Sequence, residues 1–267
     1  MLVRAVPSLT AFVVCWLFGV TSLCCPICPK PRPTKKTKKL LQKKYRKTSY
    51  LIEGWHLYEE ARANKADILR VFVAEDFLER VGDEGQVVVV SYDVLKELTE
   101  SQTPQGIVAE IALESKKWQA SNGRFLILED VQDPGNVGTM IRTADAAGFD
   151  AVIVSDKSAD IYSQKTLRSM QGSHFHLPIY RMPMSRVLDD VTAHKIPLLA
   201  STLSKDSIDY RQLDKFSSFA LVMGNEGQGI SDEMEQRADY LVHIDMPGQA
   251  ESLNVAVAAG ILIFSLI

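Results

Sequence analysis

From residue 124 onward the chain alternates short apolar runs with helical stretches, and few folds accept that pattern. Apolar runs occur at 125–128, 151–154, 179–180, 198–201, 219–223 and 240–244. Between them, 137–147, 164–170, 185–194 and 231–238 carry helical periodicity, and a small-residue helix closes the chain after Ser252. Strands separated by helices must lie parallel, because each helix carries the chain back across the sheet. The expectation is therefore an α/β fold with a parallel sheet, its ligand loops gathered where the strands end.

Three loops follow three of those strands: 129–142, 224–231 and 245–254. Each combines glycine with an amide, an acid or a hydroxyl. Glycine permits turns that a Cβ blocks and lets a ligand lie against peptide groups. The spacing Gly224-x-x-Gly227-x-Gly229 is not a dinucleotide fingerprint, and no GxxxxGK[ST] phosphate loop is present. No pair of histidines is spaced for a metal. His174 and His176 alternate in what reads as a strand, either structural or facing RNA. Ser252 stands where an N-cap stands, so its hydroxyl and the first free N–H groups of the last helix point to one place. Each of these residues also has an ordinary reading: Asn136 as a helix cap, Arg142 as a surface cation, Glu226 as a solvated acid, Asn254 as a local backbone partner.

The front of the chain differs from its body. Residues 1–47 hold 11 of the 30 Lys and Arg and no Asp or Glu, leaving the rest with 19 basic against 33 acidic residues, a net of −14. A basic front on an acidic body suits contact with a polyanion, or simply a solvated tail. Lys35 to Lys47 reads as a basic helix with Leu40, Leu41 and Tyr45 near one face. All four cysteines fall in the first 28 residues, so the body has neither a disulfide framework nor a cysteine nucleophile. Residues 5–29 carry no charge and are followed by a basic cluster. This leader reads three ways: a signal sequence, a membrane anchor that would leave the body in the cytoplasm, or a front foreign to the domain. The expected organisation is a leader at 1–33, a small α/β domain at 34–114, a polar linker at 115–123 and the alternating domain at 124–267. In the small domain, 53–63 and 93–100 read as helices, and 68–73, 87–91 and 107–113 as strands.

Three motifs occur in order: Asn136-x-Gly138-x-x-x-Arg142-Thr-Ala, Gly224-Asn-Glu-Gly-Gln-Gly-Ile-Ser231 and Ser252-Leu-Asn-Val-Ala-Val-Ala-Ala. Together they resemble the motifs of the SpoU (TrmH-like) RNA ribose methyltransferases of the SPOUT superfamily. Residues 35–114 look like that family's small L30-like substrate-binding domain. The resemblance implies a C-terminal trefoil knot, a homodimer with active sites at its interface, and methyl transfer from S-adenosyl-L-methionine to a ribose 2′-OH of ribosomal or transfer RNA in the cytoplasm. It implies Asn136, Arg142, Glu226, Ser252 and Asn254 as catalytic residues, with no metal. It further implies Thr202, Gly224, Asn225, Gly229, Ile244, Met246 and Leu253 around the cofactor. For RNA contact the expected residues are Lys35, Lys36, Lys39, Lys43, Lys44 and Arg46, with Lys165 and Arg168 beside the pocket. Arg142 is expected to bind phosphate and orient the hydroxyl, since a group with a pKa above ~12 is a poor base. The competing reading is an inactive RNA-binding protein of the same fold, and a nucleotide-dependent oxidoreductase is disfavoured by the missing fingerprint.

Overall fold

The computed structural model describes residues 35–83, 85–114 and 117–267. The leader at 1–33 lies outside them. The chain divides into two compact units, one ending at Leu113 and one running from Glu114 to Ile267.

The first unit is built on a four-stranded sheet: β1 (Ser49–Glu53), β2 (Ile68–Ala74), β3 (Gln86–Val90) and β4 (Ile107–Ala112), in the order β1-β4-β2-β3. β2 and β3 are parallel, while β4 runs antiparallel to both β1 and β2. Helix α1 (Lys35–Lys39) precedes the sheet, α2 (Trp55–Ala63) follows β1 and α3 (Tyr92–Leu98) follows β3. The basic helix expected over 35–47 is shorter than its periodicity suggests. Leu40 is buried with Leu51, Phe72, Leu95 and Leu98, and the Arg46 guanidinium takes the carbonyls of Leu40 (2.6 Å) and Leu41 (2.8 Å). Those carbonyls have left the helix, and a side chain satisfies them instead. Residue 53, expected to start a helix, ends β1, whose five residues are all buried. Gly54 (φ 97°) then turns the chain into α2.

The second unit is a seven-stranded, wholly parallel sheet: β5 (Arg124–Leu128), β6 (Ala151–Val154), β7 (Ile179–Arg181), β8 (Leu198–Ser201), β9 (Ile208–Asp209), β10 (Phe219–Met223) and β11 (Tyr240–His243). Its order is β7-β6-β5-β10-β8-β11-β9, and the expected α/β parallel architecture is what the chain adopts. β5, β6 and β10 are buried almost throughout, as strands covered on both faces are. The helices are α4 (Pro134–Ala146), α5 (Gln164–Met170), α6 (Met184–Ala193), α7 (Asp232–Arg237) and α8 (Val255–Ser265). The two-residue β9 is too short to show a period in the sequence. The stretch read as a linker contributes to this unit: Trp118 is buried, stacked edge-on against Phe125 (5.0 Å between centroids) and Tyr180 (5.4 Å). The pair expected in a strand, His174 and His176, lies in and beside a 3-10 turn at Ser173–Phe175. Burial pushes His174 down to about 3, with a further push from His176. It is therefore neutral at physiological pH.

Two placements position the site. β10 inserts between β5 and β8, with Met223 opposite Leu128, so the loops that leave β5 and β10 start side by side. Gly138 brings α4 against α5: a Cβ there would lie 2.5 Å from Ser169 Cβ and 2.7 Å from the Thr166 carbonyl.

Candidate active site

The loops after β5, β8, β10 and β11 share one rim, because neighbouring parallel strands end together. The last three enclose a cleft of about 420 Å³, and the β5 loop hydrogen-bonds to the β10 loop beside it. Thr202 and Leu203 line it from the β8 loop, Gly224, Asn225, Glu226 and Gly229 from the β10 loop, and His243, Ile244, Met246, Ser252 and Leu253 from the β11 end and its loop. All seven residues expected around a cofactor therefore meet in one cavity.

The β10 loop is a closed hairpin. Asn225 and Gly229 exchange two backbone hydrogen bonds (2.8 and 3.0 Å). The Asn225 side chain accepts from the N–H groups of Gly227 and Gln228 and donates to the Asp130 carbonyl at 2.8 Å. Gly224 is required by close approach, since a Cβ would sit 2.3 Å from the Gly229 carbonyl carbon. Gly229 is required by its φ of 72°. Asp130 also adopts φ 55° without being glycine. Its conformation is held by Ser155, whose hydroxyl donates to its carboxylate at 2.7 Å, and by the bond from Asn225.

One chain of side chains links the three motifs. Asn254, not Ser252, caps α8: its Oδ1 accepts from the N–H groups of Ala256 (2.9 Å) and Val257 (3.3 Å). The helix begins at Val255, two positions too late for Ser252 to reach those donors, so Ser252 lines the cleft instead. With Oδ1 committed to the helix, Asn254 turns its amide nitrogen to Asn136 Oδ1 (3.1 Å). Asn136 must then present its own nitrogen to Glu226 Oε1 (3.1 Å). The direction of every bond follows from the backbone donors at its start, which removes the usual ambiguity of amide orientation. Glu226 also accepts from the N–H groups of Gln132 (3.0 Å) and Asp133 (2.9 Å). Desolvation pushes the Glu226 carboxyl upward, but these three donors together hold it below its ordinary value.

Asn136 does not cap its helix. Asp133 caps α4 by accepting from the Asn136 N–H at 3.0 Å. Its other oxygen pairs with Lys165 Nζ at 2.6 Å; the Lys165 ammonium, then the Asn136 N–H, hold Asp133 low. Lys165, expected at RNA, makes this ion pair within its own unit while its side chain stays exposed. Arg46 likewise spends its guanidinium on the Leu40 and Leu41 carbonyls. Lys35, Lys36, Lys39, Lys43 and Lys44 are exposed, with the Lys39 and Lys44 ammoniums 5.1 and 5.0 Å from the Tyr45 ring centroid. Arg168 lies in the last turn of α5.

Arg142 is not joined to the chain of amides. It sits six residues beyond Asn136 on α4, about 9 Å along the axis and roughly 120° around it, exposed, its side chain making no hydrogen bond or ion pair among the described residues. Among those residues no group of three His, Cys, Asp or Glu is placed to hold a metal. Sequence reasoning passed over Gln132, Asp133 and Leu203, which follow strands and reveal their contacts only once the loops are folded together. It also passed over Glu129, whose partner is 102 residues away.

Comparison with known proteins places this geometry. Residues 123–264 match the SpoU rRNA Methylase family, and residues 33–109 match the MRM3-like substrate binding domain. The 23S rRNA (guanosine(2553)-2′-O)-methyltransferase RlmP of Bacillus subtilis is 41% identical over 243 residues, 89% of this chain and 96% of that protein. The AdoMet-bound rRNA methyltransferase from Sinorhizobium meliloti superposes with a TM-score of 0.79 at 33% identity, over 92% of this chain and 96% of that one. The SpoU methyltransferase AviRb from Streptomyces viridochromogenes, in complex with AdoMet, gives 0.78 at 27% identity, over 86% of this chain and 95% of that one. With its three motifs joined by one chain of side chains and about nine-tenths of its length matched by these relatives, the chain belongs to the SpoU rRNA methylase family.

Proposed function

We propose that the protein transfers a methyl group from S-adenosyl-L-methionine to a ribose 2′-OH of RNA, with ribosomal RNA as the substrate class, following its likeness to RlmP. The observation that carries this reading is the chain from Asn254 through Asn136 to Glu226, which ties three separate loops to one cleft. Only RNA carries the 2′-OH.

The cleft fits the cofactor. Its size falls within the ~300–1,000 Å³ usual for small-molecule sites. Its walls mix apolar side chains (Met223, Leu253, Val255, Ala258) with glycine backbone and one carboxylate. When bound, the cofactor supplies an electrophilic methyl group on a sulfonium. Thr202, Gly224, Asn225, Gly229, Ile244, Met246 and Leu253 hold it, and the anionic Glu226 lies at the same wall. Glu226 is not the base that removes the 2′-proton. Three of its roughly four lone-pair sites are filled by donors, and a carboxylate held low is a weak base. It fixes Asn136 instead. Asn136 and Asn254 each keep one amide hydrogen outside the relay for a substrate oxygen, and Ser252 presents a hydroxyl from the cleft wall. Arg142 binds phosphate and orients the ribose as a permanent cation.

The remaining features follow from the same reading. Helix α8 is apolar all round, and leaves Val257 (52% exposed) and Phe264 (53%) outward on one stripe. A second copy of the chain covers that stripe, on a helix packed against α4, which carries Arg142. The C-terminal segment is threaded as the family's trefoil knot. The exposed lysines of 35–44, with Tyr45 between them as a stacking platform, meet the RNA backbone, and the protein works in the cytoplasm. No helix of the described residues is long and apolar enough to cross a membrane. The test is incorporation of labelled methyl from S-adenosyl-L-methionine into ribosomal RNA, followed by mapping of the 2′-O-methyl position. Absence of both cofactor binding and incorporation by the folded protein rejects the reading.

A further inference from the structure

Among the buried carboxylates that the mechanism above leaves unused, Glu129 is tied to the β10 loop. Glu129 is 6% exposed at the end of β5, among Leu128 and Val131, which are fully buried. Its N–H donates to the Met223 carbonyl at 2.9 Å. Its side chain accepts twice from one distant residue: the Ser231 N–H at 2.9 Å and the Ser231 hydroxyl at 2.7 Å. Ser231 is also the N-cap of α7, where its hydroxyl oxygen accepts from the Met234 N–H at 3.2 Å.

Burying a carboxylate is unfavourable unless its oxygens are satisfied, and an apolar residue would fill the same place without that cost. An acid here therefore has a directional task. The loop between β10 and α7 contains Gly224, Gly227 and Gly229 and would be mobile if unanchored. It is tied at its start by β10, and in its middle by Asn225 to Asp130 and Glu226 to the 132–133 backbone. Glu129 supplies the remaining tie, at its end.

We infer that Glu129 is a positioning residue for the cofactor cleft, locking Ser231 and so closing the loop that carries Gly224, Glu226 and Gly229 into the geometry that receives the cofactor. This assignment rests on the proposed methyltransferase reading and deepens it. Glu129 touches neither cofactor nor RNA; it acts through Ser231.

The isosteric variant gives the sharpest test. In Glu129→Gln, Oε1 accepts from the Ser231 N–H while Nε2 donates to the hydroxyl oxygen, which has a second lone pair beside the one facing Met234. Both ties survive. In Glu129→Leu neither does, and two donors are left beside an apolar wall. Steady-state kinetics of the full-length protein, with cofactor and RNA varied separately, are expected to show a KM for S-adenosyl-L-methionine raised roughly tenfold or more in Glu129→Leu and returned to within about threefold of wild type in Glu129→Gln. The kcat and the RNA affinity should move by less than about threefold in both. A folded Glu129→Leu protein with unchanged cofactor KM overturns the assignment, as does a Gln variant as impaired as the Leu variant. If Glu129→Leu does not fold, Ser231→Ala decides: it keeps the N–H tie but loses the hydroxyl tie, so an unchanged cofactor KM there also overturns the assignment. A wild-type protein that binds RNA but no cofactor sinks the methyltransferase reading itself, an outcome distinct from variants that merely fail to differ from wild type.

Discussion

Substitution of Asn254 separates a structural from a catalytic role at one side chain. Its Oδ1 caps α8 and its Nδ2 supports Asn136. Asn254→Ala removes both. Losing an N-cap costs about 1 kcal/mol, and the bond to Asn136 adds about 0.5–1 kcal/mol, at the low end because water can reach both groups. The sum, roughly 1.5–2 kcal/mol, corresponds to a fall in Tm of about 3–8 °C for a unit of this size. Asn254→Asp keeps the cap and puts a negative charge at a helix N-terminus, which is favourable by about 0.3–1 kcal/mol. The relay, however, then begins and ends with an acceptor. If Asn136 turns its nitrogen to the new carboxylate, its oxygen faces Glu226; if it stays, its oxygen faces the carboxylate. No rotation satisfies both sides. The expectation is a melting temperature within about 2 °C of wild type, with kcat/KM for methyl transfer reduced by about 100-fold, the scale of a misplaced positioning group. Scanning fluorimetry and labelled-methyl incorporation measure the two quantities on one preparation. An Asn254→Asp protein with wild-type turnover would refute the relay; an unfolded one would refute the cap.

Three further outcomes are expected. Gly224→Ala should abolish cofactor binding measured by calorimetry, because its Cβ meets the Gly229 backbone at 2.3 Å and the hairpin must open; retained affinity would mean the loop relaxes freely. Glu226→Gln should change the acid limb of stability. The Glu226 carboxyl is lowered from 4.5 in the fold, so its contribution is present above that value and is lost as pH falls through the lower folded value. The stability difference between wild type and Glu226→Gln, followed by urea unfolding from about pH 7 to about pH 3, should be constant at the top and shrink toward acid; a difference that grows would reverse the sign assigned here. If the proposed pairing through α8 holds, wild type should sediment as a dimer and Val257→Glu with Phe264→Glu as a monomer, since two charges on an apolar seam cannot be buried unpaired; a monomeric wild type would refute the pairing, and an unchanged dimer would refute the α8 seam.

The amino-acid sequence was enough for the parallel α/β class and most of the strands of the second unit, because runs such as Phe-Ala-Leu-Val-Met at 219–223 have no polar face to offer water and are fully buried in β10. It also marked the loops that carry chemistry, since glycine, amide and acid together after a strand have few purely local uses. Where one side chain had several plausible local partners, the packing of distant elements chose among them. Ser252 and Asn254 both suit an N-cap, and the start of α8 at Val255 chose Asn254. Asn136 suited a cap as well, until Asp133 took that place and released it to bridge Asn254 and Glu226. Lys165 read as a cation for RNA, and folding sets Asp133, 32 residues away, against it. Glu129 carried no sequence signal at all. Local propensity acts over a turn or two of chain, whereas the bond from Ser231 to Glu129 spans 102 residues and exists only because β10 is inserted beside β5.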